Sequence, residues 1–182
     1  MTQLTPQDIL HFWFEEITPQ QQFKKDLAFD QLIHERFGAL HAQAAACELA
    51  HWRDTPEGRL AEIIVLDQFS RNLYRDKPQA FAQDPMALTL AQEAIRVGAD
   101  QQLTAEQRTF LYMPYMHSES KQIQADSVRL FKANGIANNL DFAIRHKEIV
   151  DRFGRYPHRN DILGRPSTDE EIAFLKTPGS SF

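Results

Sequence analysis

The residues best suited to chemistry gather in one stretch, Arg152-Phe153-Gly154-Arg155-Tyr156-Pro157-His158-Arg159-Asn160, followed by Leu163-Gly164-Arg165. Residues 145–165 hold six Lys/Arg (145, 147, 152, 155, 159, 165) against three acids (Glu148, Asp151, Asp161), in a chain whose formal net charge is -5. A local positive field of this kind attracts an anion, and guanidinium forks match carboxylate and phosphate in bidentate fashion. The glycines and Pro157 would give the loop a fixed shape. The plainer alternative is an arginine-rich loop that cross-links helix ends through Asp30, Asp67 and backbone carbonyls.

Two further stretches carry polar groups where apolar ones are expected. Leu66-Asp67-Gln68-Phe69-Ser70-Arg71-Asn72-Leu73-Tyr74-Arg75 places Asp67 and Arg71 at i, i+4 on a helix face shared with Leu60 and Ile64, the acid N-terminal as the better orientation requires. That pair is either a buried link between helices or part of a ligand site. In Tyr112-Met113-Pro114-Tyr115-Met116-His117-Ser118-Glu119, Pro114 is expected to kink or end a helix, leaving His117 and Glu119 at the break. Ser118 or Glu119 could instead cap the next helix.

If the three stretches converge, they form a polar pocket lined by Asp67, Arg71, Asn72, His117, Glu119, Arg152, Arg155, His158, Arg159 and Asn160. Its ligand would be an anionic small molecule, a phosphate or a carboxylate. His117 or His158 would be the acid/base, with Glu119 orienting it. The competing reading is an interaction module that offers a helical face to a protein or peptide partner.

Other chemistries find less support. A metal could be drawn from His117, Glu119, His146 and His158, but no pair on one helix has the i, i+4 spacing of a zinc helix. No metal is assigned. Arg152, Arg155 and Arg159 with Phe153 and Tyr156 as stacking groups would suit a single-stranded nucleic acid, and the acidic overall charge counts against it. The Walker loop, the dinucleotide glycine fingerprint, the nucleophile elbow and zinc-finger spacing are all absent from the sequence, so no cofactor is assigned. The lone Cys47 sits among Ala44, Ala45, Ala46 and Leu49 and reads as a small buried thiol.

The elements that must position these groups read as helices throughout. Thr5-Pro6-Gln7-Asp8 opens the first, which ends near Ile17. A second spans about Gln20 to Ala50, with Phe23, Leu27, Ile33, Phe37, Leu40, Ala44 and Cys47 as its stripe and Asp30 at the missing step. Thr55-Pro56-Glu57-Gly58 reads as a turn before the third. Asp84 caps the fourth and Gly98 ends it, and Thr104 to Gln107 is a capping box for the fifth. The sixth covers roughly Glu119 to Ala133. The seventh runs from about Ala137 to Phe153, with His146 facing inward. A loop over 155–166 leads to a short last helix capped at Thr168, and the tail 177–182 is expected to be loose unless Phe182 docks. No stretch alternates with period two.

Length and patterning therefore predict one all-α domain over residues 1–182, built from antiparallel helical hairpins. No basic segment followed by an apolar run opens the N-terminus from Met1 to Leu10, and the longest apolar run is Ile63 to Leu66. The expectation is a cytoplasmic protein that does not engage a membrane.

Several of these features together resemble one bacterial family: Trp13-Phe14, Trp52, Leu66 to Phe69 with Arg71-Asn72, Phe81 with Asp84, Met113-Pro114 with His117 to Glu119, and Arg152 to Asn160 with Leu163-Gly164-Arg165 and Ser167-Thr168. The chain is similar over nearly its whole length to the family of domain of unknown function 924, described as TPR-like. The resemblance implies a superhelix of α-α hairpins like that of tetratricopeptide repeats, and it implies no reaction. Ser70 stands where the family more often has proline, which alters the local helix end.

Overall fold

Helix ends are set by side chains that satisfy otherwise orphaned amides. In the computed structural model, which describes residues 3–182, every described regular element is helical. Met1 and Thr2, where the N-terminal stretch read above begins, lie outside the described residues. Helix α1 (Pro6–His11) starts on a capping box in which Thr5 and Asp8 exchange hydrogen bonds, and it passes into a π-helical turn at Phe12–Glu16.

The long second helix expected from the stripe is two. Helix α2 (Pro19–Phe23) stops at Lys24, and α3 (Leu27–Ala45) begins again on Asp26, whose carboxylate accepts from the amides of Ala28 and Phe29. An aspartate preceding an apolar run makes a strong N-cap, so the chain breaks where the stripe alone runs on. Phe23 and Leu27, on either side of the break, are exposed rather than buried, while Phe29, Ile33, Phe37, Leu40 and Ala44 carry the buried face. Cys47 lies past the end of α3, exposed and with a φ of 62°, so the buried-thiol expectation is corrected: the helix has already ended.

Clustering of the backbone divides the chain into two compact units. The first comprises residues 1–75 and 79–114, the second residues 76–78 and 115–182. In the first, Thr55 is not in a turn but caps α4 (Pro56–Ile64), and a second π-helical turn (Val65–Phe69) leads into α5 (Ser70–Leu73). The core of this unit is aromatic. Phe12, Phe37 and Phe69 pack at centroid distances of 4.8–6.1 Å, and Trp13 meets Phe69 and Phe110 edge-on.

Helix α6 (Asp84–Arg96) follows Gln83, not an Asp84 cap. The Asp84 carboxylate is held by Arg71 instead. Pro114 lies inside α7 (Ala105–Met116), which continues two residues beyond it, so the helix does not end there. The division between units falls at this proline.

In the second unit α8 (Lys121–Asn134) and α9 (Ala137–Phe153) pack against each other across a two-residue link, which makes them an antiparallel hairpin. Gly135 supplies the left-handed backbone of the turn, with φ of 84°. Ser120, rather than Ser118 or Glu119, caps α8. The expected loop after α9 contains a 3-10 turn at Pro157–Arg159 and the single turn α10 (Asn160–Leu163), and the last helix, α11 (Asp169–Leu175), has the Thr168–Glu171 capping box. Phe153, which ends the face of His146 and Ile149, packs with Phe174 on a buried cluster of Ile149, Val150 and Tyr156. Phe142, on the same stripe, is exposed.

One position shows how closely backbones meet. A Cβ on Gly58 would lie 1.8 Å from the Trp52 carbonyl oxygen. Replacing glycine inside a helix by alanine ordinarily gains about 1 kcal/mol. Here the clash dominates, and Gly58→Ala is expected to destabilise the protein by about 2 kcal/mol or more. Urea unfolding measures this, and an unchanged or raised midpoint would refute it.

Candidate functional site

In the first unit the polar groups of the 66–75 stretch hold one another. Asp67 is fully buried. Arg71 donates to its carboxylate at 3.4 Å and to its carbonyl at 3.0 Å, and grips Asp84 through both terminal nitrogens at 2.9 and 3.0 Å. Asp30, at the missing step of the α3 stripe, is buried and receives Asn72 at 2.8 Å and a two-point clamp from Arg75. Arg75 closes the polar stretch named from the sequence, but it was not among the residues expected to line a site. The i, i+4 offset from Arg71 was the available signal.

Ser70 and His41 form a buried pair 2.7 Å apart. The Ser70 hydroxyl donates to the Leu66 carbonyl, one turn back, at 2.5 Å. Its single proton is thereby used, so His41 Nε2–H donates to Ser70. This is the reverse of the polarity in a serine nucleophile, where the imidazole accepts. Burial pushes the His41 pKa down.

In the second unit the loop between α7 and α8 is stitched by residues that come far later in the chain. Glu119 accepts the Tyr156 amide at 2.8 Å and both terminal nitrogens of Arg165 at 2.9 Å. Burial works to raise its pKa, but Arg165, the Tyr156 amide and nearby Arg159 outweigh it and hold the carboxyl below its ordinary value. Arg159 donates to the His117 carbonyl at 3.0 Å, and its guanidinium stands 4.8 Å over the Tyr156 ring. The Gln124 carboxamide nitrogen shares its two hydrogens among the carbonyls of Met116 and Ser118 and the Tyr156 hydroxyl, which itself donates to Met116.

The remaining arginines of the basic stretch are engaged with acids. Arg155 clamps Glu171 at 2.7 and 2.9 Å. That contact, ahead of an opposing burial effect and further bonds from Thr168 and Asn160, lowers the Glu171 pKa to about 2. Arg152 pairs with Glu170 at 2.9 Å and lies over Phe153. Asn160 is fully buried, donating to Ser167 and Glu171 and accepting from Arg165 at 3.0 Å. The structure thus brings His117, Glu119, Arg155, His158, Arg159 and Asn160 into the second unit, where Arg152 also lies, while Asp67, Arg71 and Asn72 belong to the first. Tyr156 is fully buried, which corrects its reading as a stacking platform for a base.

A residue beyond the predicted set completes the cluster. His146 is buried on α9 and its Nδ1–H donates to the Phe142 carbonyl at 2.7 Å, leaving a lone pair on Nε2. Phe182 does dock: its ring lies 3.8 Å from that of His146 and 4.6 Å from that of His158. Burial first, then the positive fields of His117, His158 and Arg159, lower the His146 pKa to about 3 despite the opposing Phe142 bond. Among the described residues no group of three or more His, Cys, Asp or Glu is arranged to hold a metal ion, and no helix is long and apolar enough to cross a membrane.

A model of the bacterial protein family of unknown function DUF924 matches residues 9–179. The chain belongs to that family. It is also similar to a solved structure described as a protein of unknown function, ATU0120, from Agrobacterium tumefaciens, with 42% identity and a TM-score of 0.89 over 94% of this chain and 96% of that one. No curated protein matches.

The neutral His146 makes stability depend on pH. Its folded pKa lies below the ordinary 6.5, so the unfolded chain takes up the proton first. Its contribution is complete above about pH 6.5 and is lost as pH falls toward 3. Between pH 6.5 and 5 the loss should reach about 2 kcal/mol, at 1.36 kcal/mol per unit. His146→Gln should flatten urea-derived stability over that interval. An equal slope in both proteins would contradict the assignment.

Proposed function

We propose that this protein binds an anionic small molecule, a phosphate or a carboxylate, at the Arg159–His117–His158 cluster of its second unit. The observation that carries the reading is Arg159, a residue only 5% exposed, whose guanidinium stacks on Tyr156 and donates to the His117 carbonyl. A cation drawn out of water on a π face interacts strongly with an incoming anion, because little solvent screens it. His117 and His158 are the acid/base groups for any proton transfer to the bound anion. Glu119 positions Arg165 and the Tyr156 amide around them, and Arg155 and Asn160 brace the loop through Glu171. In this reading Asp67, Arg71 and Asn72 hold the first unit together, and Arg152 guides the anion from the surface.

The α8–α9 hairpin supports a TPR-like arrangement. The acidic composition and the single exposed cysteine fit a cytoplasmic setting. A second reading, a protein or peptide partner, draws on Phe23 and Leu27, which are 62% and 75% exposed on either side of Lys24 and Lys25.

The test is a titration with inorganic phosphate and with acetate, followed by the side-chain resonances of His117 and His158. One of the anions should shift both resonances. A charge-assisted contact is worth about 1.5–3 kcal/mol, so Arg159→Gln should weaken binding by roughly 10- to 100-fold. His158→Gln tests the same site without altering a buried cation. If neither anion moves either histidine in the wild-type protein, the proposal fails.

A further inference from the structure

Phe182 is 52% exposed, yet its ring meets three aromatic partners: His146 at 3.8 Å, His158 at 4.6 Å and Tyr156 at 5.1 Å, the last edge-on. These partners also meet one another, with Tyr156 5.7 Å from His146 and 5.8 Å from His158. They form a three-sided aromatic recess with one open side. We propose that this recess is the ring-binding subsite of the anion site, that its ligand is an aromatic anion whose ring carries an N–H or O–H donor, and that Phe182 occupies the ring's place in the unliganded protein. The inference rests on the anion reading given above.

The recess asks for more than a phenyl ring gives. With Nδ1–H committed to Phe142, His146 presents the Nε2 lone pair. Burial keeps that ring neutral through the physiological range, so the wall stays aromatic rather than cationic. Gln124, fully buried and bonded to the Tyr156 hydroxyl through its nitrogen, has a carboxamide oxygen that accepts no hydrogen bond from any described residue. Buried acceptors of this kind are costly to leave unfilled. A phenyl ring supplies no polar hydrogen, whereas a hydroxyaryl or heteroaryl ring does. Arg159, stacked on Tyr156, stands in the same cluster to take the anionic end.

The tether makes exchange feasible. Gly179 turns the chain with a φ of 75°, and buried Ser180 anchors it by donating to the Leu175 carbonyl at 3.1 Å. Beyond Ser180, residues 181–182 belong to no helix or turn. Phe182 can therefore swing away from the recess without breaking a helix. An aromatic pair contributes about 0.5–1.5 kcal/mol beyond its buried area, a contact that a better-matched ligand can displace.

The experiment compares the protein with its Phe182→Ala variant, titrated with inorganic phosphate, acetate, 4-hydroxyphenyl phosphate and phenol, and read from affinity and from the ring resonances of His146 and His158. The variant should bind 4-hydroxyphenyl phosphate about tenfold more tightly than the wild type, with both histidine rings shifting, while its affinity for inorganic phosphate stays unchanged. If phosphate or acetate binds but 4-hydroxyphenyl phosphate gains nothing in the variant, or gains without moving His146 and His158, the ring subsite is overturned and the anion reading stands. If phosphate, acetate and 4-hydroxyphenyl phosphate bind neither protein, the anion reading falls and phenol decides. Larger shifts of His146 and His158 in Phe182→Ala than in the wild type then support the subsite, and equal or absent shifts overturn it.

Discussion

A carboxylate taken out of water must be met by a cation of matching shape, and in both units that cation is arginine. Arg75 clamps Asp30, Arg53 clamps the fully buried Glu62 at 2.7 Å through two nitrogens, and Arg71 bridges Asp67 and Asp84. In the second unit Arg155 holds Glu171 and Arg165 holds Glu119. Desolvating such groups costs several kcal/mol per ion, and only fully hydrogen-bonded geometry offsets it. The planar fork of arginine satisfies both carboxylate oxygens at once. Each pair accordingly fixes the register of the elements it joins: 13 residues separate Arg71 from Asp84, and 45 separate Arg75 from Asp30.

The same rule governs the basic stretch. Its surplus of charge is measured along the sequence, but in space Arg152, Arg155 and Arg165 are answered by Glu170, Glu171 and Glu119, two of which lie outside the stretch on α11 and one before α8. Those acids hold the frame around Arg159, whose guanidinium lies over the Tyr156 ring and donates to the His117 carbonyl. The anion proposal thus concerns one buried cation in a rigid setting, not a diffuse patch.

Two π-helical turns shape the first unit, at Phe12–Glu16 and Val65–Phe69. Such turns insert a residue into the α-helical repeat and free backbone groups. Next to the second one the Ser70 hydroxyl donates to the Leu66 carbonyl, with His41 completing the pair. A proline at this position would also tolerate the interrupted helix, since it needs no amide bond. The serine in this chain instead gives buried His41 a polar partner.

Local signals determined much of the helical plan. Thr5-Pro6, Thr104 with Gln107, Thr168 with Glu171, and the glycines at 98, 135 and 154 each act within a few residues, and each is where the sequence puts it. The Asp67–Arg71 pair and the inward face of His146 follow from helical spacing alone. Where the sequence reading departed from the structure, a local signal had two uses: Asp26 caps α3 and splits an apparently continuous stripe, while Asp84 leaves its capping role for Arg71. The candidate site was legible as a set of residue types but not as a set of partners. Glu119 is 46 residues from Arg165, and His146 is 36 from Phe182. Which arginine neutralises which acid, and which ring covers which histidine, depends on distances through space after the chain has turned back on itself. Only the tertiary structure could decide them, because desolvation and charge pairing act on the groups that folding brings together, whatever their separation along the chain.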